Sequence, residues 1–377
     1  MVGDSNNRSA LAGVRALADA GWEVGVGSQR AGGLAERSRW CSRRHDVPLA
    51  DAGVEAFSAA VARATREAAY DLVFAVGDAE ALTLSMCRDA LAAPVAFPAH
   101  EVMRQVFDKV LVGERAEQVG VATPTTRPAT VEAVEAADPP YVIKARQHWL
   151  GGGSGTRSRF DVTVTSSSAE AVQAAQRTQA AGAAPLLQEH VAGRLLAVVL
   201  VLGRDGQVLA RAQQEAQAIW PTGRGVSVRA RTVPVDEKLA AGLVALLRGL
   251  GWVGLVELQL LDAGDGPPRL IDVNGRFYGS LALAGAAGLN LPDLWGRVAL
   301  GEEVEPLGDA RPGVRYHWLE GDLRRLHEAG ASLRGYLGAA VWMTSPAHGT
   351  WSSRDPAPTL RHTLELAGRL PGLRRSP

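Results

Sequence analysis

Cysteine is nearly absent: the 377 residues include only Cys41 and Cys87. At that density a disulfide framework is excluded, and a reducing compartment is the simpler setting. No CxxC or HxxxH spacing occurs, so the usual ligand patterns for structural zinc are missing. Net charge is missing too, because 40 Lys and Arg balance 40 Asp and Glu. Nucleic-acid binding needs a basic field, so no nucleic acid is expected as partner. Long hydrophobic runs are also lacking. The longest, residues 195–202, falls far short of the roughly 18 residues that span a bilayer. Residues 1–8 are polar and contain no signal-peptide core. No internal repeat and no triad-like nucleophile set occurs. A soluble, cytoplasmic protein with no membrane partner is expected.

What is present is ordinary globular composition, 46% apolar, at a length that suggests two or three domains sharing buried interfaces. In the first hundred residues, Leu11, Val14, Leu17 and Ala18 share a helical face. Residues 22–26, 71–76 and 94–97 read as strands, with a helix over 79–91. Strand and helix alternating through short connections means a parallel α/β layer. Such layers bind ligands at the carboxyl ends of strands, which puts Gly77-Asp78 at a pocket edge. Almost nothing precedes Gly3-Asp4-Ser5-Asn6-Asn7, so the first strand is expected to be truncated or very short.

The middle of the chain changes character. Strands over 141–145 and 159–165 flank a glycine-rich loop, followed by a helix over 168–181 and a strand over 185–189. Residues 195–202 and 207–212 form a hairpin around Asp205-Gly206, and 252–261 with 269–274 form another. A helix over 236–250 lies between them. This mixed, largely antiparallel pattern is α+β. Beyond Val304 the chain is richer in Pro, Gly and Arg, which suggests an appended, mainly helical element.

The strongest chemical signal lies in Val256-Glu257-Leu258-Gln259-Leu260 and Leu270-Ile271-Asp272-Val273-Asn274-Gly275-Arg276. With a turn centred near Gly264-Asp265, Glu257 sits opposite Asp272. Alternation along the strands then gathers Glu257, Gln259, Asp272, Asn274 and Arg276 on one face. Opposed carboxylates repel, and a dication that prefers oxygen ligands would neutralise them. A half-exposed hairpin with solvated acids is the alternative. Lys144 ends an apolar strand shortly before Gly151-Gly152-Gly153-Ser154-Gly155-Thr156. Backbone N–H groups in such a loop can wrap phosphate oxygens, and the lysine adds a point charge. The loop is not a Walker sequence, since no Lys-Ser/Thr follows its last glycine, and a flexible linker is the competing reading. Lys109, after Phe107-Asp108, is a second candidate phosphate ligand or an ordinary surface lysine. In Leu186-Leu187-Gln188-Glu189-His190-Val191, a strand runs into a loop whose exposed backbone could pair with adenine.

The order of these four elements resembles the ATP-grasp superfamily, closest to carbamoyl-phosphate-synthase-like carboxylate–amine ligases. The likeness runs from about Ala10 to Glu303. It includes Ser38-Arg39-Trp40-Cys41-Ser42, Pro221-Thr222-Gly223-Arg224-Gly225-Val226-Ser227 and Phe277-Tyr278-Gly279-Ser280. It implies an α/β plus α+β chain: an N-terminal parallel α/β domain over residues 1–100, an ATP-grasp domain over 101–303, and a C-terminal, mainly helical extension over 304–377. ATP would lie between the two halves of the middle domain.

The resemblance also implies roles. Lys109 and Lys144 would contact ATP phosphates under a loop of Gly152, Gly153, Ser154, Gly155 and Thr156. Gln188 and Glu189 would flank adenine, with the Glu189 carbonyl and Val191 N–H reading its edge. Glu257, Asp272 and Asn274 would hold Mg2+, two ions bridged by Asp272, or Mn2+ in its place. Arg276, with Lys144, would be catalytic and face the transferring phosphoryl group, and Arg224 and Ser227 would lie beside the substrate. Families of this kind usually read Glu-x-Asn-Pro-Arg, whereas this chain reads Asp272-Val273-Asn274-Gly275-Arg276. Their adjacent glycines are split here by Arg224, which could take a substrate carboxylate. The implied reaction activates a small carboxylate as an acyl phosphate and joins it to an amine, releasing ADP and phosphate. A kinase or carboxylase on the same fold and a non-catalytic ATP binder are the alternatives, and a homodimer stays open.

Overall fold

The computed structural model describes residues 1–29, 31–147 and 162–369. Helix α1 (Arg8–Asp19) starts where the Asn7 side chain accepts the Ser9 N–H, and it buries Leu11, Val14 and Leu17 at helical spacing. Strands β1 (Val24–Ser28) and β2 (Cys41–Asp46) pair in parallel, followed by α2 (Val54–Ala68) and α3 (Asp78–Met86). Among the described residues the parallel layer continues only through isolated bridges: Val2 with Val26 and Phe74, and Val73 with Val95. The strands expected over 71–76 and 94–97 therefore shrink to single pairings, and the opening strand is as short as the sequence suggests.

Next come α4 (His100–Val106), α5 (Lys109–Gln118), β3 (Thr126–Pro128), α6 (Val131–Glu135) and β4 (Tyr141–Ala145). Strand β5 (Thr163–Thr165), α7 (Ser168–Ala180) and β6 (Pro185–Gln188) follow. A four-stranded sheet in the order β3-β6-β4-β5 results, with antiparallel neighbours. Ala171, Ala174 and Ala175 of α7 share a core cluster with Tyr141 and Ile143 of β4.

The larger sheet is built from β7 (Arg194–Leu202), β8 (Val208–Trp220), β9 (Val226–Val233), β10 (Gly254–Asp262) and β11 (Arg269–Asn274), with α8 (Glu237–Gly249) between β9 and β10. Strand β7 is buried almost throughout, as expected of a central strand covered on both faces. Helices α9 (Leu281–Ala286) and α10 (Leu291–Leu300) follow, then β12 (Gly308–Asp309), β13 (Arg315–His317), α11 (Leu319–Glu328), α12 (Leu333–Ala340), β14 (Ala347–His348) and α13 (Ala357–Arg369). The sheet runs β11-β10-β7-β8-β9-β13-β14, with β12 beside β8. The described residues after 304 carry α11 to α13, and they also extend the central sheet. The composition of that segment carries no sign of this, because β12 to β14 are only two or three residues long.

One core joins the first layer to the larger sheet. Phe74 stacks on Phe277 at 5.2 Å, and Trp295 meets Phe74, Phe97 and Phe277 edge-on. Among the described residues, no helix is long and apolar enough to cross a membrane.

Candidate functional site

Two lysines from separate elements converge on the β11 face. Asp108 caps α5 by accepting the N–H groups of Val110 and Leu111. The same carboxylate takes both contacts of the Arg146 Nε, at 2.9 and 2.8 Å, and the Lys109 N–H donates to the Arg146 carbonyl. The start of α5 is thereby tied to the end of β4, which places Lys109 near Lys144. The Lys109 Nζ lies 3.5 Å from Asp272 Oδ1. Lys144 is buried; burial pushes its ammonium down to about 8, the Lys109 charge adds to this, and Asp272 opposes it. An excess of positive charge over one carboxylate is an environment that phosphate oxygens would balance.

The acids sit in a register different from the expected one. Glu257 pairs with Asn274, and Gln259 pairs with Asp272. An irregularity between Gln259 and Leu260 shifts the alignment, so a count from the turn centre misplaces the pairs. Each carboxylate thus faces an amide rather than the other acid. Gln259 Nε2 and Asn274 Nδ2 both donate to Glu257 Oε2 at 3.1 Å. Burial raises the Glu257 carboxyl to about 7. Among the described residues no group of three His, Cys, Asp or Glu could hold a metal ion alone. One or two carboxylates completed by substrate phosphates is nonetheless a donor set that magnesium takes, and Glu257, Asp272 and Asn274 fit it.

Arg276 closes this face. Its Nη2 donates to Asn274 Oδ1 at 2.8 Å, its Nη1 to the Phe277 carbonyl at 3.1 Å and its Nε to Asp78 Oδ1 at 2.6 Å. Asp78 is the first residue of α3, so the pocket edge read at Gly77-Asp78 reaches the site through the Arg276 ion pair. Gly275 has a packing reason: a Cβ there would fall 2.1 Å from the buried Trp252 ring. Gly275→Ala should therefore cost about 1–3 kcal/mol by overpacking. Urea denaturation checks this, and a loss below about 0.5 kcal/mol would show that Trp252 yields.

A cavity of about 240 Å³ is lined by Lys109, Thr126, Gln188 and Leu270 to Val273. Gln188 is buried and donates to Thr126 Oγ1 at 3.0 Å. The Glu189 carboxylate accepts the Thr125 N–H at 3.0 Å, and its own N–H donates to the Thr125 carbonyl. The Val191 side chain is buried. Gly152, Gly153, Ser154, Gly155 and Thr156 lie outside the described residues. Arg224 is exposed and donates to the Val162 carbonyl at 3.3 Å. Ser227, on β9, pairs with Ile219 of β8.

A second cavity, about 620 Å³, is lined by Arg276 itself. The ends of the first layer (Arg8, Asp78, Glu80), Arg276 with Gly279, and the C-terminal segment (Trp318, Glu320) form its wall. Arg224 and Ser227 are not part of that wall. Sequence reasoning missed Arg8, Trp318 and Glu320. The only available signal for Arg8 was the polar run directly after Val2, where a strand end would put ligand-facing groups.

The profile of a family described as ATP-grasp in the biosynthetic pathway with Ter operon matches residues 206–322. No curated protein matches the chain in sequence. In structure it is similar to a biotin carboxylase–β,γ-ATP complex from Campylobacter jejuni, with TM-score 0.62 and 16% identity over 80% of this chain and 71% of that one. It is also similar to L-amino acid ligase from Bacillus licheniformis, with TM-score 0.63 and 17% identity over 83% and 77%. An ADP complex of N5-carboxyaminoimidazole ribonucleotide synthetase gives TM-score 0.59 and 14% identity over 81% and 78%. At such identities the likeness is one of fold.

Proposed function

Because the chain has the ATP-grasp fold, we propose that it binds Mg·ATP and activates a small carboxylate as an acyl phosphate, which an amine then converts to an amide. The observation that carries this reading is the meeting of Lys109, Lys144 and Asp272 beside the Glu257–Asn274–Arg276 face. Bound Mg2+ would neutralise phosphate charge and orient the γ-phosphoryl group. Lys109 and Lys144 would hold phosphate oxygens, with Glu257, Asp272 and Asn274 as the metal ligands. Arg276, fixed on both sides by Asp78 and Asn274, would stabilise charge on the transferring group without needing to reorganise. Gln188, Glu189 and Val191 would flank adenine. The acid would occupy the larger cavity, with a carboxylate oxygen attacking the γ-phosphorus, ADP leaving, and the incoming amine displacing phosphate. A cytoplasmic setting, small-molecule partners and domain limits at residues 100 and 303 belong to the same proposal.

Hydroxylamine tests it. Supplied with Mg·ATP and a panel of small carboxylic and amino acids, the protein should release ADP and form a hydroxamate, since a small nucleophile intercepts the acyl phosphate. A stable phosphate ester with no hydroxamate would make the protein a kinase. Absence of ADP release across the panel would favour a binding protein.

A further inference from the structure

Among the described residues, one guanidinium of the larger cavity has no acid paired with it. Arg8, the first residue of α1, lines that cavity, and its guanidinium lies 3.9 Å above the centre of the Trp318 ring. Its Nε donates to the Gly279 carbonyl at 3.0 Å, and the Tyr316 hydroxyl donates to the same oxygen at 2.9 Å. The seat is shaped for this side chain, since a Cβ on residue 279 would fall 2.2 Å from the Arg8 Nη2. Ring stacking and the Nε bond together fix the plane of the fork.

Among the described residues no ion pair joins Arg8 to an acid, whereas Arg276 in the same wall is paired with Asp78. Of the acids in that wall, Asp78 pairs with Arg276, Asp4 and Asp51 have partners of their own, and Glu320 and Glu80 are committed elsewhere or uncharged. Glu320 pairs with Arg324 and His362. Burial raises the Glu80 carboxyl to about 8, so at neutral pH it is mostly protonated. A planar guanidinium held against an aromatic ring suits bidentate capture of an oxyanion. Arg224, the residue expected to take a substrate carboxylate, lies outside this wall.

We infer that Arg8 is a specificity-determining residue that binds a second oxyanion, carboxylate or phosphate, on the substrate in the larger cavity. This rests on the proposed ligase reading for the cavity being the substrate pocket. Arg276 would serve the transferring phosphoryl group, while Arg8 reads the group at the far end of the substrate. Substrates carrying two anionic groups would therefore be preferred over analogues that lack the second one.

The test is titration calorimetry on the full chain with succinate, aspartate and phosphoserine, each against a matched partner that lacks the second anionic group: butyrate, asparagine and serine. In the parent, at least one charged ligand should bind tenfold or more tightly than its partner. Arg8→Gln should bring that ratio to about one, and Arg8→Lys should keep part of it, with Mg·ATP affinity unchanged in both. Phosphoserine or the dicarboxylates leading the panel decides between phosphate and carboxylate. No preference in the parent, or one that survives Arg8→Gln, overturns the inference. If Arg8→Gln fails to bind Mg·ATP through misfolding, an unchanged ratio in Arg8→Lys overturns it equally. Hydroxamate formation that ignores Arg8→Gln, with acids lacking the second anionic group, would leave the ligase reading standing alone. Charge discrimination lost in Arg8→Gln without any ADP release would do the reverse.

Discussion

Asp272→Asn is expected to lower ATP turnover by about a hundredfold or more while the chain stays folded. The substitution preserves shape and removes one charge from the point where Lys109, Lys144 and the proposed metal ligands meet. Were the two acids directly opposed, the change would relieve repulsion and stabilise the ligand-free protein. The observed register argues otherwise, because Asp272 faces Gln259 and lies beside lysines. Losing it leaves the buried Lys144 ammonium beside Lys109 with less compensating charge. Stability without ligand should therefore fall, by on the order of 1 kcal/mol. ADP release and a thermal melt measure the two effects. Turnover equal to the parent's would remove Asp272 from the metal site, and a higher melting temperature would restore the repulsive picture.

The largest loss of stability is expected at Asp322, in the segment after residue 304. Its side chain is wholly buried. One carboxylate oxygen accepts Arg229 Nε at 2.7 Å and His317 Nε2 at 3.0 Å, and the other accepts Arg325 Nε at 3.0 Å and Nη2 at 2.8 Å. Burial alone would raise this carboxyl, yet hydrogen bonds from His317, Arg229 and Arg325 hold it down to about 2. Asp322→Ala strips the shared carboxylate from buried His317 and from half-buried Arg229 and Arg325, and should cost about 3–5 kcal/mol. The sign with pH follows from the lowered value. The contribution is complete above the unfolded carboxyl's pKa of about 4 and fades as pH falls towards 2. Denaturant midpoints from pH 7 to pH 3 should converge between Asp322→Ala and the parent. A deficit below about 1 kcal/mol at pH 7, or one unchanged at pH 3, would show that the cluster is not held by this carboxylate.

How much of this was legible beforehand depended on the range of the interactions. Tyr141–Ala145 reads directly as a strand because its apolar run is local, and the same holds for the hairpin that carries Glu257 and Asp272. The register did not follow, since an irregularity at Gln259 leaves no mark on residue type. Strands in the first layer were overestimated: Val73, Phe74 and Val95 make single bridges in a β-favouring composition. The replacement of proline by Gly275 looks like a defect in one dimension and becomes a fit once Trp252 stands against it. Arg8 and Trp318 lie 310 residues apart in the sequence, and no short-range pattern links two residues so far apart.

The aromatic cluster at the junction of the two sheets also governs the order in which this chain can mature on the ribosome. Trp295 donates its indole N–H to the Ala96 carbonyl at 2.8 Å, and Phe74 stacks on Phe277. The first layer emerges with Phe74 and Phe97 uncovered, and their partners are translated some two hundred residues later. At about 5–20 residues per second, that leaves roughly 10–40 s in which an apolar surface waits for its cover. Within that window the nascent layer is a natural client for a holding chaperone, and slowed elongation ahead of residue 295 would prolong its exposure.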